Sequence, residues 1–317
     1  MARSTKTTRR ELLKQTAATA AVGVSTAALV SSVGAAAAPQ PPFQFSLNTS
    51  TIRGQKKPLN EVVKLAIAAG YDGIEPWIRE MEDYEKAGGR LEDLGKQIED
   101  NGLEVISAIG FPAWAVDDKE QRQGGLEQAK RDMALVRKLG GNRIAAPPAG
   151  VTKEAIPLDR LAERYAALLE VGANAGVQPQ LELWGHSRTL SRLGEVLYVA
   201  SESGRDDAAV LPDVFHLYKG GSDFHGLHLL AGSAVHLFHI NDYPAQPPRE
   251  SIRDSQRVFP GDGVAPLNEI LRTLHSVGFQ GFLSLELFHP EYWERDAQSV
   301  CEEGLRKMKK VVAEAMG

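Results

Sequence analysis

From residue 43 onward, short apolar runs alternate with longer amphipathic stretches. The runs Phe43-Gln44-Phe45-Ser46-Leu47, Gly73-Ile74-Glu75, Val105-Ile106-Ser107-Ala108, Arg143-Ile144-Ala145-Ala146, Gln180-Leu181-Glu182, Ala209-Val210-Leu211-Pro212-Asp213, Val235-His236-Leu237-Phe238-His239 and Phe282-Leu283-Ser284-Leu285-Glu286 have the length and apolar character of buried strands. Helical periodicity fills the intervals, as over 59–69, 91–101, 125–139, 158–175 and 266–277. Several of these stretches run into the glycine that a helix C-terminus favours: Gly70, Gly102, Gly140, Gly176 and Gly278. Between Phe45 and Glu286 the seven strand-to-strand intervals average about 34 residues, the size of one strand-plus-helix unit. Eight such units predict an α/β chain folded as a single-domain (β/α)8 TIM barrel. A doubly wound open sheet would show the same alternation, but no Gly-x-Gly-x-x-Gly follows the first strand; Asn48-Thr49-Ser50-Thr51-Ile52-Arg53 stands there instead.

Four of the last strands end on a residue able to bind a metal: Glu182, Asp213, His239 and Glu286. A carboxylate among apolar neighbours costs several kcal/mol to desolvate unless a cation meets it. In a barrel the carboxyl ends of strands share one mouth, so the four converge there. One divalent ion held by Glu182, Asp213, His239 and Glu286 accounts for all of them. Three carboxylates and one imidazole form an oxygen-rich set suited to Mn, Co or Mg, with Zn also admissible. A hydroxy-ketone can chelate at the open positions, and Glu182 and Glu286 on opposite sides of it can remove and return a proton. Return to the other face is epimerisation, return to the neighbouring carbon is isomerisation, and loss of a β-hydroxyl is dehydration.

The N-terminus is a separate region. Thr7-Thr8-Arg9-Arg10-Glu11-Leu12-Leu13-Lys14 resembles a twin-arginine export signal and precedes an Ala-rich stretch from Thr16 to Ala38. The expected division is a signal peptide over 1–37, cut after Ala37, and a barrel over 38–317. This places the protein in the periplasm, or otherwise outside the cytoplasm, after transient contact with the twin-arginine machinery. Export of the folded protein suits a chain that takes up its metal first. Cys301 is the only cysteine, so no intramolecular disulfide is expected.

Removing the leader takes away five basic residues and one acidic one, moving the formal charge from −5 to −9. So acidic a domain lacks the basic footprint that a phosphate backbone requires, which excludes a nucleic-acid partner. The expected partner is a small-molecule carbohydrate, with a homo-oligomeric assembly left open.

The segments Leu181-Glu182-Leu183, Asp213-Val214-Phe215-His216, His239-Ile240-Asn241-Asp242 and Pro260-Gly261-Asp262-Gly263 through Leu285-Glu286-Leu287 resemble the xylose-isomerase-like barrel superfamily of sugar phosphate isomerases and epimerases. The resemblance spans residues 43–315. It implies that Glu182, Asp213, His239 and Glu286 bind one Mn, Co or Mg ion, that Glu182 and Glu286 also move the proton, and that His216 contacts a substrate oxygen. The sequence departs from the family's ketose 3-epimerases six residues beyond His239, where they carry a substrate-binding Arg and this chain has Ala245. Arg257 or Arg249, from the longer loop that follows, is the expected replacement. Trp184, Trp77, Trp114 and Phe288 are candidate sugar-stacking walls, and His186 and Glu75 candidate hydroxyl ligands. Two other readings stand beside a sugar isomerase or epimerase: a dehydratase of a keto-sugar or keto-inositol, and a non-catalytic periplasmic sugar-binding barrel. Retention of both Glu182 and Glu286 favours catalysis. An apurinic endonuclease of the same fold would need further histidines on the early strands, and none precedes His186.

Overall fold

The computed structural model describes residues 42–317. The expected export signal and its cleavage site lie outside the described residues.

Eight parallel strands form the centre: β1 (Gln44–Asn48), β2 (Gly73–Glu75), β3 (Glu104–Val105), β4 (Arg143–Ala146), β5 (Gln178–Glu182), β6 (Ala209–Leu211), β7 (Leu237–Ile240) and β8 (Phe282–Leu285). Around them lie α1 (Leu59–Ala69), α2 (Ile78–Lys86), α3 (Leu91–Asp100), α4 (Lys119–Leu139), α5 (Leu158–Ala175), α6 (Leu193–Glu202), α7 (Val214–Gly220), α8 (Leu267–Ser276), α9 (Pro290–Trp293) and α10 (Ala297–Met316). The eight strands predicted from the apolar runs are all present, and the fold is the (β/α)8 barrel.

Ladder pairing divides the barrel into a five-stranded arc, β3-β2-β1-β8-β7, and a three-stranded arc, β4-β5-β6. Two seams close it. Ala145 N–H donates to Ala108 O at 2.9 Å across one, and His239 N–H donates to Pro212 O at 3.0 Å across the other. Strand β3 is shorter than predicted because beyond Val105 the ladder gives way to isolated bonds, such as Ile106 N–H to Ile74 O. Helix α4 begins at Lys119, earlier than predicted, with Asp118 accepting the Gln121 N–H as its cap. Gly125 inside it marks packing, not a helix start: a Cβ there would come within 2.6 Å of Ala113 O.

Alternation along the strands sorts the side chains. Leu47, Ile74, Phe238, Leu283 and Leu285 face outward into the main core against the helices, while Ile106, Ala145, Leu211, Leu237 and Phe282 fill the barrel interior. Above that apolar layer the interior turns polar. Parallel register sets Ser46 and His239 on either side of Ser284, and Asn48 beside Glu75. All five are fully buried. The barrel thus carries a stack of polar side chains leading up to its carboxyl-end mouth, where this fold places its chemistry.

Candidate active site

The strand ends bring Glu182, His239 and Glu286 together, with one donor atom from each lying within 4.8 Å of the others. Around His239 Nδ1 stand Glu286 Oε2 at 3.4 Å, Asp213 Oδ2 at 3.6 Å and Glu182 Oε1 at 3.8 Å. That nitrogen is buried and has no hydrogen-bond partner. The other ring nitrogen, Nε2, lies 3.0 Å from Glu75 Oε2. Glu75 Oε2 also accepts from Asn48 Nδ2 at 2.9 Å and Ser284 Oγ at 2.8 Å.

Asp213 is the most heavily bonded of the four predicted ligands and stands outside the three-residue group. Its Oδ1 accepts the His216 N–H at 2.8 Å and caps α7, and its Oδ2 accepts from Arg257 Nη1 at 2.7 Å and Asn241 Nδ2 at 3.2 Å.

Of the two arginines expected to replace the one missing at Ala245, Arg257 is the one that turns into the site. Carried by the loop after β7, it is buried in the site, donating Nη1 to Glu286 Oε2 at 2.9 Å and Nη2 to Asp254 Oδ1 at 2.6 Å, with Nη2 3.1 Å from His216 Nε2. Three carboxylates meet this one cation. Arg249, the other candidate, is exposed, and it is its backbone carbonyl that receives Lys219 Nζ.

Burial acts on every charge here. It pushes Glu182 well above the usual carboxylate range, opposed by His239 and reinforced by Glu286, Asp213 and Glu75. It also raises Glu286 to about 7, against the pull of His239 and Arg257. For Asp213 the same burial is outweighed by Arg257, His216 and His239, and the carboxyl is held below its ordinary value. His216 is driven down to about 4 by burial. Burial disfavours a charged His239 too, but Glu286 and Glu75 hold its pKa well above normal.

Above the carboxylates lies a cavity of about 260 Å3, whose wall includes Trp77, Phe111, Trp184, His186, His216 and Phe288. Phe111, Trp77 and Trp184 form a continuous aromatic face, with ring centroids 5.2 and 5.8 Å apart. Trp184 stacks on His186 at 5.3 Å. Trp114, expected as a sugar wall, is instead fully buried, packs on Tyr165 and donates its indole N–H to Pro147 O. Glu75, expected to bind a hydroxyl, does not line the cavity; it is buried beneath it, tied to His239. Phe111 was not singled out as a wall from the sequence, although it follows the third strand as Trp77 follows the second.

A closed parallel barrel with carboxylates and an imidazole gathered at the carboxyl ends of its strands has the build of a metal-assisted barrel enzyme. The pattern of the xylose isomerase-like TIM barrel family matches residues 63–311, and the chain belongs to that family. It is 27% identical over 263 residues to inosose isomerase of Bacillus velezensis, covering 80% of this chain and 92% of that protein. It is 25% identical over 269 residues to 3-dehydroshikimate dehydratase of Pseudomonas aeruginosa, covering 84% of this chain but 41% of that longer protein. The solved structure of the IolI protein with a bound zinc atom has a TM-score of 0.80 at 23% identity, covering 87% of this chain and all of that one, and shares its fold.

Proposed function

We propose that this protein is a divalent-metal-dependent isomerase or epimerase of a small hydroxy-ketone of the sugar or keto-polyol class. The observation that carries the reading is the unpartnered Nδ1 of His239, buried and facing Glu286, Asp213 and Glu182 while Glu75 fixes the far side of the ring. Ligand atoms about 2.1 Å from a common ion stand roughly 3–3.5 Å apart, so the separations around Nδ1 fit such an ion with little adjustment. Glu182, His239 and Glu286 would hold it, with Asp213 joining from its bonds to Arg257 and Asn241. The oxygen-rich set suits Mn, Co or Mg, and zinc is compatible with it. When bound, the ion supplies Lewis-acid polarisation of a carbonyl and its neighbouring hydroxyl.

The protein's own residues do the rest. Glu182 from β5 and Glu286 from beyond β8 reach the cavity from different sides of the barrel, so each can take or return a proton at the carbon beside the carbonyl. Arg257 keeps Glu286 oriented, and His216, held by Arg257, offers a hydroxyl contact. Glu75 is a positioning residue for His239. The Phe111, Trp77 and Trp184 face shields the apolar side of a ring from water. Likeness to an isomerase supports the rearrangement; likeness to a dehydratase supports a second reading, in which the same deprotonation is followed by loss of a β-hydroxyl. We place the reaction outside the cytoplasm, on the strength of Thr8-Arg9-Arg10-Glu11-Leu12-Leu13-Lys14.

The test is to incubate the metal-loaded protein in deuterated water with ketoses, keto-inositols and 3-dehydroshikimate, following the α-proton by NMR. Exchange is expected with at least one, falling about 10²–10⁴-fold in Glu182→Gln and in Glu286→Gln, the usual cost of losing a positioned base. Appearance of a dehydrated product selects the second reading. Exchange at the wild-type rate in both variants overturns the two-base mechanism, and a wild type that exchanges nothing leaves the sugar-binding barrel.

A further inference from the structure

The loop after β1 places a cation at the rim of the cavity. The guanidinium carbon of Arg53 stands 4.7 Å from the Trp77 ring, 5.3 Å from Phe288 and 5.4 Å from Trp293, and the first two of these rings line the cavity. Among the described residues no protein group takes a hydrogen bond or ion pair from its side chain. Glu80 offsets part of its charge and Arg79 adds to it, but Glu80 forms no ion pair with it and turns its Oε2 to Thr49 Oγ1 at 2.6 Å and the Trp77 N–H at 3.0 Å. Arg257 is the contrast: its guanidinium is spent on Asp213, Glu286 and Asp254.

The loop carrying Arg53 is held rigidly. Thr51 Oγ1 donates to Leu285 O at 2.8 Å and accepts the Leu287 N–H, Trp293 donates its indole N–H to Ser50 O at 3.0 Å, and Gln55 Nε2 donates to Tyr292 O at 2.8 Å. Next to Arg53, a Cβ on Gly54 would lie 2.1 Å from the Trp293 Cβ, so only glycine lets the loop press onto that indole. A guanidinium stacked on aromatic faces and held in place keeps its N–H edge for a planar, bidentate acceptor. Such preorganisation lowers the ordering cost of binding.

We propose that Arg53 is a specificity-determining residue that receives a carboxylate borne by the substrate at the end remote from the reacting carbonyl. The inference rests on the cavity being the substrate site. With the reacting carbonyl and hydroxyl engaged on the floor, where Glu182 and Glu286 gather, an anionic group at the other end of the substrate is met at the rim. A single unpaired guanidinium matches a monoanionic carboxylate better than a phosphate dianion, which calls for more than one donor group.

The test uses the metal-loaded protein and two ring polyols that differ in a carboxylate, quinate and myo-inositol, with dissociation constants measured by calorimetry at low and high salt. Wild type should bind quinate at least about tenfold more tightly at low salt, in line with one charge-assisted bidentate contact, with the preference shrinking as salt rises. Arg53→Met should bring the two ligands within about threefold of each other at unchanged metal content, and Arg53→Lys should retain only part of the difference. A wild type without preference, or a preference that survives in Arg53→Met, overturns the proposal. If Arg53→Met does not fold, the wild-type salt dependence and the Lys variant decide it in the same terms. Absence of α-proton exchange is a separate failure, of the isomerase reading, and leaves this binding comparison standing.

Discussion

Glu75 Oε2 and His239 Nε2 stand 3.0 Å apart inside the barrel, and that bond decides which way the imidazole faces. Asn48 and Ser284 hold the same carboxylate oxygen from two other strands, so the orientation of His239 is set by four strands at once. Partners of this kind behind a metal-binding histidine fix the ring and raise its basicity. Glu75→Gln should therefore lower the affinity for a divalent ion about 10–100-fold while leaving the fold intact. Competition against a chromophoric chelator measures it, and an unchanged affinity would assign Glu75 a purely packing role.

Asp213 joins three functions, capping α7, receiving Arg257 and bordering His239. Removing one partner of a buried ion pair typically costs about 3–5 kcal/mol. Asp213→Ala is expected to lose stability on that order in urea unfolding and to emerge from purification with less metal. Retention of both full stability and full metal content would remove Asp213 from the site.

Asp132, on α4, is buried with its Oδ2 unpartnered, and burial, helped by Glu82, raises its pKa to about 6 from an ordinary value near 4. The folded state therefore binds this proton more tightly than the unfolded chain does. Its contribution to stability is greatest below about pH 4 and is lost as the pH rises through 6, a penalty on the order of 2–3 kcal/mol. Asp132→Asn should melt several degrees higher than wild type at pH 8 and close to it at pH 4. Equal melting temperatures at pH 8 would show that the ionised carboxylate is accommodated.

Replacing Arg9 and Arg10 by Lys should leave the protein in the cytoplasm with its leader attached. Fractionation and a mass measurement of the N-terminus check this, and a double variant still exported would show that the signal has been misread.

The strands and the gathered acids were legible because a buried strand leaves a compact record: Leu-Ser-Leu-Glu at 283–286 announces both the pleat and the carboxylate at its end. Arg257 was legible only as one of two charges on an unplaced loop, since nothing in Pro247–Arg257 says which arginine turns inward. Glu75 was noticed for its position at a strand end, but its partner is His239, 164 residues away, a pairing that only barrel closure creates. Trp114 shows the converse. Its neighbours read like those of a mouth residue, yet the bond to Pro147 O and the contact with Tyr165 draw it into the core.

The two seams of the barrel give the site a mechanical meaning. Glu182 and Asp213 belong to the three-stranded arc or its edge, whereas His239 and Glu286 belong to the five-stranded arc or its edge. Between β6 and β7 the arcs meet through one backbone bond, from His239 to Pro212, and the side chain of Asn241, which bonds Asp213 and the Phe215 N–H. An ion shared by these residues would act as a rivet across one of the two seams of the barrel wall. Amides bordering that line should exchange with solvent early in the metal-free protein and be the ones most slowed by metal, coupling the occupancy of the site to the closure of the fold.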